Sequence, residues 1–284
     1  MVYVTLFLNV LLMLFMPVAI AQFISAKRKP SWGLFGMGAV TFIASQLAHI
    51  PFNWLILQRF QLISSDVSVF SNLVVLAVFL GLSAGLFEES ARFLTYKYWA
   101  KDARSWGRGL MLGAGHGGIE AIILGTLLGV NYFVLARMQS GALLDLIPDG
   151  QLPIVEAQID AVFSSEWYII LLGSLERLFA ICFHLSASLL VMTAVSSGKI
   201  RWLVGAVLWH SLLDAIAVFA VVTWNAYVAE AMIGIMAIIS LIVVFILRSP
   251  EPEARRMEPL EDQLPLRPAK IEWSEENLDK SRYL

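Results

Sequence analysis

The 284-residue chain is 58% hydrophobic and only 15% charged, whereas a soluble domain is nearer half apolar and a quarter charged. A net charge of −2 and a pI near 6.1 exclude the basic footprint of a nucleic-acid-binding protein. The one cysteine, Cys182, lies inside an apolar run, which excludes an internal disulfide and points away from thiol chemistry.

The apolar residues fall in runs of about 20 or more, long enough to cross a hydrocarbon core of roughly 30 Å. They predict an all-α fold, a polytopic transmembrane helical bundle of about seven spans, with eight as the alternative. The spans are expected at 3–25, 31–57, 69–98, 108–136, 167–197, 202–224 and 227–247. The first ends in VAIAQ, which mimics a signal-peptidase site. No basic segment precedes it and AKRKP follows it, so it is read as a true first span. Basic residues cluster in AKRKP (26–30), between Lys97 and Arg108, in GKIRW (198–202) and from Arg248 to Arg256. With seven spans these segments share one side, which the positive-inside rule makes cytoplasmic. The N-terminus is then outside and the C-terminus inside, most simply in the plasma membrane.

The connection at 139–166 is acidic, and LPIVEAQIDAVF within it predicts a short amphipathic surface helix. Residues 1–248 form the transmembrane domain. Residues 249–284, rich in Pro, Glu and Arg, read as a mostly disordered cytoplasmic tail.

Ionisable side chains inside a bilayer are costly and mark functional sites by default. Span three carries Glu88, Glu89 and Arg92, and span four His116 and Glu120. Span five holds Glu176, Arg177 and His184, and span six His210 and Asp214. Counted from the basic ends, Glu88, Glu89, His116, His184 and His210 lie about nine to thirteen residues deep, roughly 13–20 Å at the helical rise. Four helices thus bring carboxylates and three imidazoles to one level. His49 lies about eighteen residues deep on the same count and falls outside that level.

The pairs Glu88 and Arg92, His116 and Glu120, and His210 and Asp214 are i,i+4 neighbours. Arg177 and His184, seven apart, share a face of span five, so each of these histidines has a same-helix partner to orient its ring, with Ser188 a further candidate for His184. Gly109, Gly113, Gly117, Ala121, Gly125 and Gly129 recur every fourth residue, a stripe that lets another helix approach closely.

Three neutral imidazoles with a carboxylate form a familiar ligand supply for Zn²⁺ with one position left for water. Zinc brings the pKa of that water to about 7, and an adjacent carboxylate can serve as general base and then proton donor. Glu88 and Glu89 suit this role, with Arg92 keeping one of them ionised. Spacing does not tell which of the two binds and which is the base.

At these residues the chain resembles a known family. EESAR (88–92), GHGGIEA (115–121), ERLFAICFH (176–184) and WHSLLDA (209–215) look like the YhfC family of intramembrane metallopeptidases. That family is similar to the CAAX-prenyl-protease and bacteriocin-processing group and to PrsW-type proteases. The resemblance implies that Glu88 and Glu89 are the paired glutamates and that His184 and His210 are the later histidines. Asp214 would stand at an oxyanion-stabilising position. His116 and Glu120 belong to GHGGIEA, which has no counterpart in the prenyl-protease pattern, and the first motif reads EExxR rather than EExxxR. The expected catalytic set is Glu88, Glu89, Arg92 and Asp214, and the expected metal ligands are His116, His184, His210 and Glu120. The expected activity is metal-dependent cleavage of a peptide or membrane-protein substrate from the cytoplasmic side. The competing readings are a non-catalytic binding module on the same centre and a proton- or metal-coupled transporter.

Overall fold

An apolar run rich in Leu, Phe and Val winds into α1 (Val2–Arg28), which stops where Lys29 turns left-handed (φ 54°) ahead of Pro30. The computed structural model describes residues 1–143, 147–148 and 150–249. The C-terminal extension from Pro250 onward therefore lies outside the described residues.

Helix α2 (Gly33–Trp54) continues as a wide π turn over Leu55–Arg59, just after Pro51 has removed one rung of its hydrogen-bond ladder. Helix α3 (Phe70–Leu94) ends the same way over Thr95–Trp99. Helix α4 (Trp106–Gln139) has 34 residues. At the helical rise that is about 50 Å, longer than a bilayer core is thick, so it must tilt or emerge. The amphipathic segment forms α5 (Leu152–Phe163). The span expected at 167–197 is interrupted at Leu171 into a single turn, α6 (Trp167–Ile170), and α7 (Leu172–Ser197). Helices α8 (Arg201–Thr223) and α9 (Ala226–Ile246) complete the described chain. Among the described residues the ordered elements are helices and turns. Seven helical stretches are long and apolar enough to cross a membrane, at the seven places the sequence predicts.

Helix α7 is the central post. In its most apolar stretch 67% of residues are buried, against 17–39% in the other six spans. It packs against α1, α3, α4, α8 and α9, while α4 also packs on α1 and α2, and α3 on α8.

Small residues set these distances. A Cβ on Gly81 or Gly85 of α3 would come within 2.3 Å of Ser211 O or 2.6 Å of Val207 O on α8. The α4 stripe serves two interfaces rather than one. Gly109, Gly113 and Gly117 meet Leu189, Ser188 and His184 of α7, whereas Gly125 and Gly129 meet Met13 and Val10 of α1. A four-residue step overshoots a full turn by about 40°, so the stripe winds from one neighbour to the next. Where α2 crosses α4, Gly38 faces Leu112 O and Gly115 faces Phe35 O. His116 is consequently pressed between α2 and α7.

Candidate metal centre

Helix α3 is amphipathic in the inverted sense. Leu82, Leu86 and Leu94 are exposed at 45–56%, while Ser83, Glu88, Glu89 and Arg92 are buried. The polar stripe faces protein and the apolar stripe faces lipid, as membrane cost demands. Glu88, Glu89, Arg92, His116, His184 and His210 are each no more than 6% exposed. They meet in the middle of the bundle, as the depth count predicts.

Each side chain of the centre has a defined partner. Glu88 Oε2 lies 3.0 Å from His116 Nε2 and 3.8 Å from His210 Nε2. Its other oxygen accepts from Gln46 Nε2 of α2 at 2.9 Å. Glu89 forms a buried ion pair with Arg92 and sits 2.8 Å from His210 Nδ1. Arg92 also donates through Nη2 to His184 Nδ1 at 3.2 Å. A guanidinium can only donate, so this bond puts the His184 proton on Nε2, which then donates to Glu120 Oε2 at 2.7 Å. Arg177 donates to Glu120 Oε1 at 2.7 Å and pairs with Glu176.

The rings pack closely, tilted or edge-on to one another. His116 and His184 have centroids 5.0 Å apart, and His184 and His210 5.7 Å. Phe183 stands edge-on to both His184 and His210. A cavity of about 80 Å³, lined by Glu88, Glu120, Arg177, His184, His210 and Asp214, opens beside them.

Several partners differ from those read off the sequence. His116 does not bond Glu120 on its own helix but Glu88 on α3, and Glu120 reaches across to His184. Arg92 pairs with Glu89 at i+3 rather than with Glu88. Asp214 is 3.6 Å from His210 Nε2, beyond hydrogen-bond length. Ser188 bonds Gly109 O and Tyr96 instead of His184. A helical i,i+4 spacing fixes which face two residues share, but the packed neighbour fixes which atoms meet.

Glu176 and Arg177 of α7 also line the cavity. His49, set aside by depth, is linked to Glu88 through Gln46, with His49 Nδ1 3.3 Å from Gln46 Oε1. Gln46 is neutral, so the cost of burying a charge does not mark it in the sequence. Its place one turn before His49 on α2 is the only hint the sequence offers.

The donor set fits a metal ion. One donor from each of Glu88, His116 and His184 lies within 4.8 Å of the other two. A tetrahedral zinc site needs ligands about 3.3 Å apart, a closure that side-chain rotations can make. His116 Nδ1 is sealed from solvent with no hydrogen-bond partner. Around the cavity and Arg92, five carboxyls (Glu88, Glu89, Glu120, Glu176 and Asp214) face two guanidinium groups among the described residues. Such an excess of negative charge within the bundle calls for a cation or for protons. His184 could coordinate only by exchanging its bond to Arg92 or to Glu120.

The family model of YhfC intramembrane metalloprotease matches residues 12–245. The chain belongs to the YhfC family. A relative in Bacillus subtilis (strain 168), the "Uncharacterized membrane protein YhfC", is 30% identical over 235 residues, covering 80% of this chain and 88% of the relative. No solved structure matches. The family assignment and the seven apolar helices make this an integral membrane protein, and its centre offers a Glu/His metal site.

Proposed function

We propose that the chain is an intramembrane zinc-dependent endopeptidase in which His116, His184 and His210 hold the metal and Glu88 is the general base. The observation that carries this reading is the clustering of buried Glu88, His116 and His184 donors within 4.8 Å of one another, beside a cavity that Glu88, His184 and His210 line. His210 supports it further. Its Nδ1 is tied to the Glu89 carboxylate, the arrangement that orients metal-binding imidazoles, which leaves Nε2 directed at Glu88 and the cavity. Bound zinc supplies Lewis acidity and a water that ionises near neutral pH.

The protein groups divide the remaining work. Glu88 is the member of the glutamate pair that lines the cavity, so it takes the proton from water and returns it to the leaving amine. Gln46 fixes its Oε1. Glu89 is held by Arg92 and His210 and acts by positioning them. Glu120 fixes His184 and is itself fixed by Arg177. Asp214 borders the cavity next to His210 and, in its protonated form, can donate a hydrogen bond to charge developing on a bound peptide.

The orientation proposed is N-terminus outside and C-terminus cytoplasmic in the plasma membrane. Arg28 and Arg248 both lie over the ring of Trp106, at 4.8 and 5.6 Å. The basic ends of α1 and α9 and the start of α4 thus meet on one side, in agreement with the positive-inside rule.

The test is metal content and cleavage of membrane-segment peptides by purified protein. Glu88→Gln should keep zinc and lose cleavage, and His210→Ala should lose both. A folded protein that binds no metal in any variant would leave a non-catalytic binding module as the better reading. A proton-coupled carrier is the second reading, favoured by the chain from Glu88 through Gln46 and His49 to Asn53 and Ser83. It requires pH-gradient-driven flux in proteoliposomes that Glu88→Gln abolishes.

A further inference from the structure

On the lipid side of α7 a second chamber runs between α7 and α9. It is an apolar groove of about 510 Å³ walled by Leu175, Phe179, Cys182, Gly234 and Ile238, with Glu230 at one end. A carboxylic acid is out of place there. Glu230 Oε2 is sealed from solvent and has no hydrogen-bond partner. The charged groups acting on it are Glu176 and Arg177 of α7, and that guanidinium is already shared between Glu120 and Glu176. The groove and the central cavity share walls. Ile233 faces the cavity and Gly234 the groove, and on α7 Ala180 faces the cavity while Phe179 and Cys182 face the groove.

Gly234 keeps the floor low, since a Cβ there would lie 3.2 Å from the Phe179 ring. An acyl chain could fill the apolar length of this groove but would leave Glu230 unmatched. A lone carboxyl in a lipid-facing surface is met by a cationic or hydrogen-bond-donating side chain on a neighbouring helix.

We propose that the α7/α9 groove is the docking site for the substrate, a membrane-spanning segment that carries a Lys or Arg which pairs with Glu230. This names the substrate class of the peptidase reading and rests on it. The groove holds the apolar face of the segment, and Glu230 sets its register against the cavity behind α7. A segment lacking the basic residue loses the one polar contact that fixes its depth.

Cys182, the only cysteine in the chain and half-buried in the groove wall, gives a direct probe. Protein in lipid nanodiscs is labelled there with a photoactivatable maleimide. It is then illuminated with a synthetic Leu/Ala transmembrane peptide bearing one Lys near its end, or Gln at the same place. The Lys peptide should cross-link roughly tenfold more than the Gln peptide, the size of one interhelical polar contact in lipid. Glu230→Gln should remove that preference, and Glu88→Gln should leave it intact.

Repeating the experiment from the other wall, with Ile235→Cys in a Cys182→Ser background, guards against a probe that blocks the groove. Equal cross-linking of both peptides, indifference to Glu230→Gln, or label recovered on lipid alone would each overturn the proposal. A Lys preference without cleavage by the wild type would instead overturn the peptidase reading and leave the groove standing.

Discussion

Gly117→Ala separates the geometry of the centre from the stability of the bundle. A Cβ at this position would lie 2.6 Å from His184 Cδ2 and 3.0 Å from its Cβ. To regain an ordinary contact of 3.4 Å, the imidazole must retreat by about 0.8 Å or α4 must part from α7. Overpacking of this kind costs about 1–3 kcal/mol, and the better helix propensity of Ala returns about 1 kcal/mol. The net loss is therefore no more than about 2 kcal/mol, a fall of a few degrees in the thermal midpoint at this chain length.

The effect on the site should be larger. His184 holds bonds of 2.7 and 3.2 Å to Glu120 and Arg92, and a shift of this size breaks at least one of them. Disturbing groups that orient a metal ligand lowers affinity about 10–100-fold. The assay is zinc affinity by competition with a chromogenic chelator, alongside a thermal melt in the same detergent. Gly205→Ala is the control, because a Cβ there meets nothing within 4 Å. It should keep zinc affinity and melt no lower than the wild type. Wild-type zinc affinity in Gly117→Ala would refute the claim that α4 sets the position of His184.

Other perturbations have distinct outcomes. Arg92→Met strands Glu89 as a buried unpaired carboxylate and should cost about 3–5 kcal/mol. The double change with Glu89→Met should recover part of that loss in a thermal melt, and strictly additive losses would deny the pair. Gln46→Leu removes the bond to Glu88 Oε1 and should lower kcat about tenfold or more with zinc content unchanged, as measured by steady-state cleavage and metal analysis. Removing zinc with a chelator should lower the thermal midpoint, since a ligand at a thousandfold above its Kd stabilises by about 4 kcal/mol. Added zinc should restore the midpoint in the wild type but not in His184→Ala.

The spans were legible because a bilayer demands long apolar runs, and α1, α3 and α8 begin and end within a few residues of where those runs do. The residues of the polar centre were legible for the converse reason, since Glu88, Glu89, His116, His184 and His210 are expensive to place in lipid. Their level in the membrane followed from counting residues along each helix.

What stayed hidden was which atoms meet across helices. His116 with Glu88, Glu120 with His184 and Arg92 with Glu89 depend on how far α3, α4 and α7 rotate and slide. Those offsets are fixed by contacts such as Gly117 against His184 and Gly81 against Ser211. Neutral partners were equally silent. Gln46 beside Glu88, and Asn9 of α1, whose side chain accepts from Ser174 N of α7, look like ordinary polar residues in apolar runs. The break at Leu171 also lacks a Pro or Gly at the position itself to announce it.

The central claim is that Glu88 performs chemistry on a metal held by the three histidines, and one comparison tests it most directly. Zinc stoichiometry and cleavage of a membrane-segment peptide are measured together in wild type, Glu88→Gln and His116→Ala. The account expects one zinc and cleavage in the wild type, one zinc without cleavage in Glu88→Gln, and neither in His116→Ala. Cleavage that survives Glu88→Gln, or full zinc occupancy in His116→Ala, would contradict it.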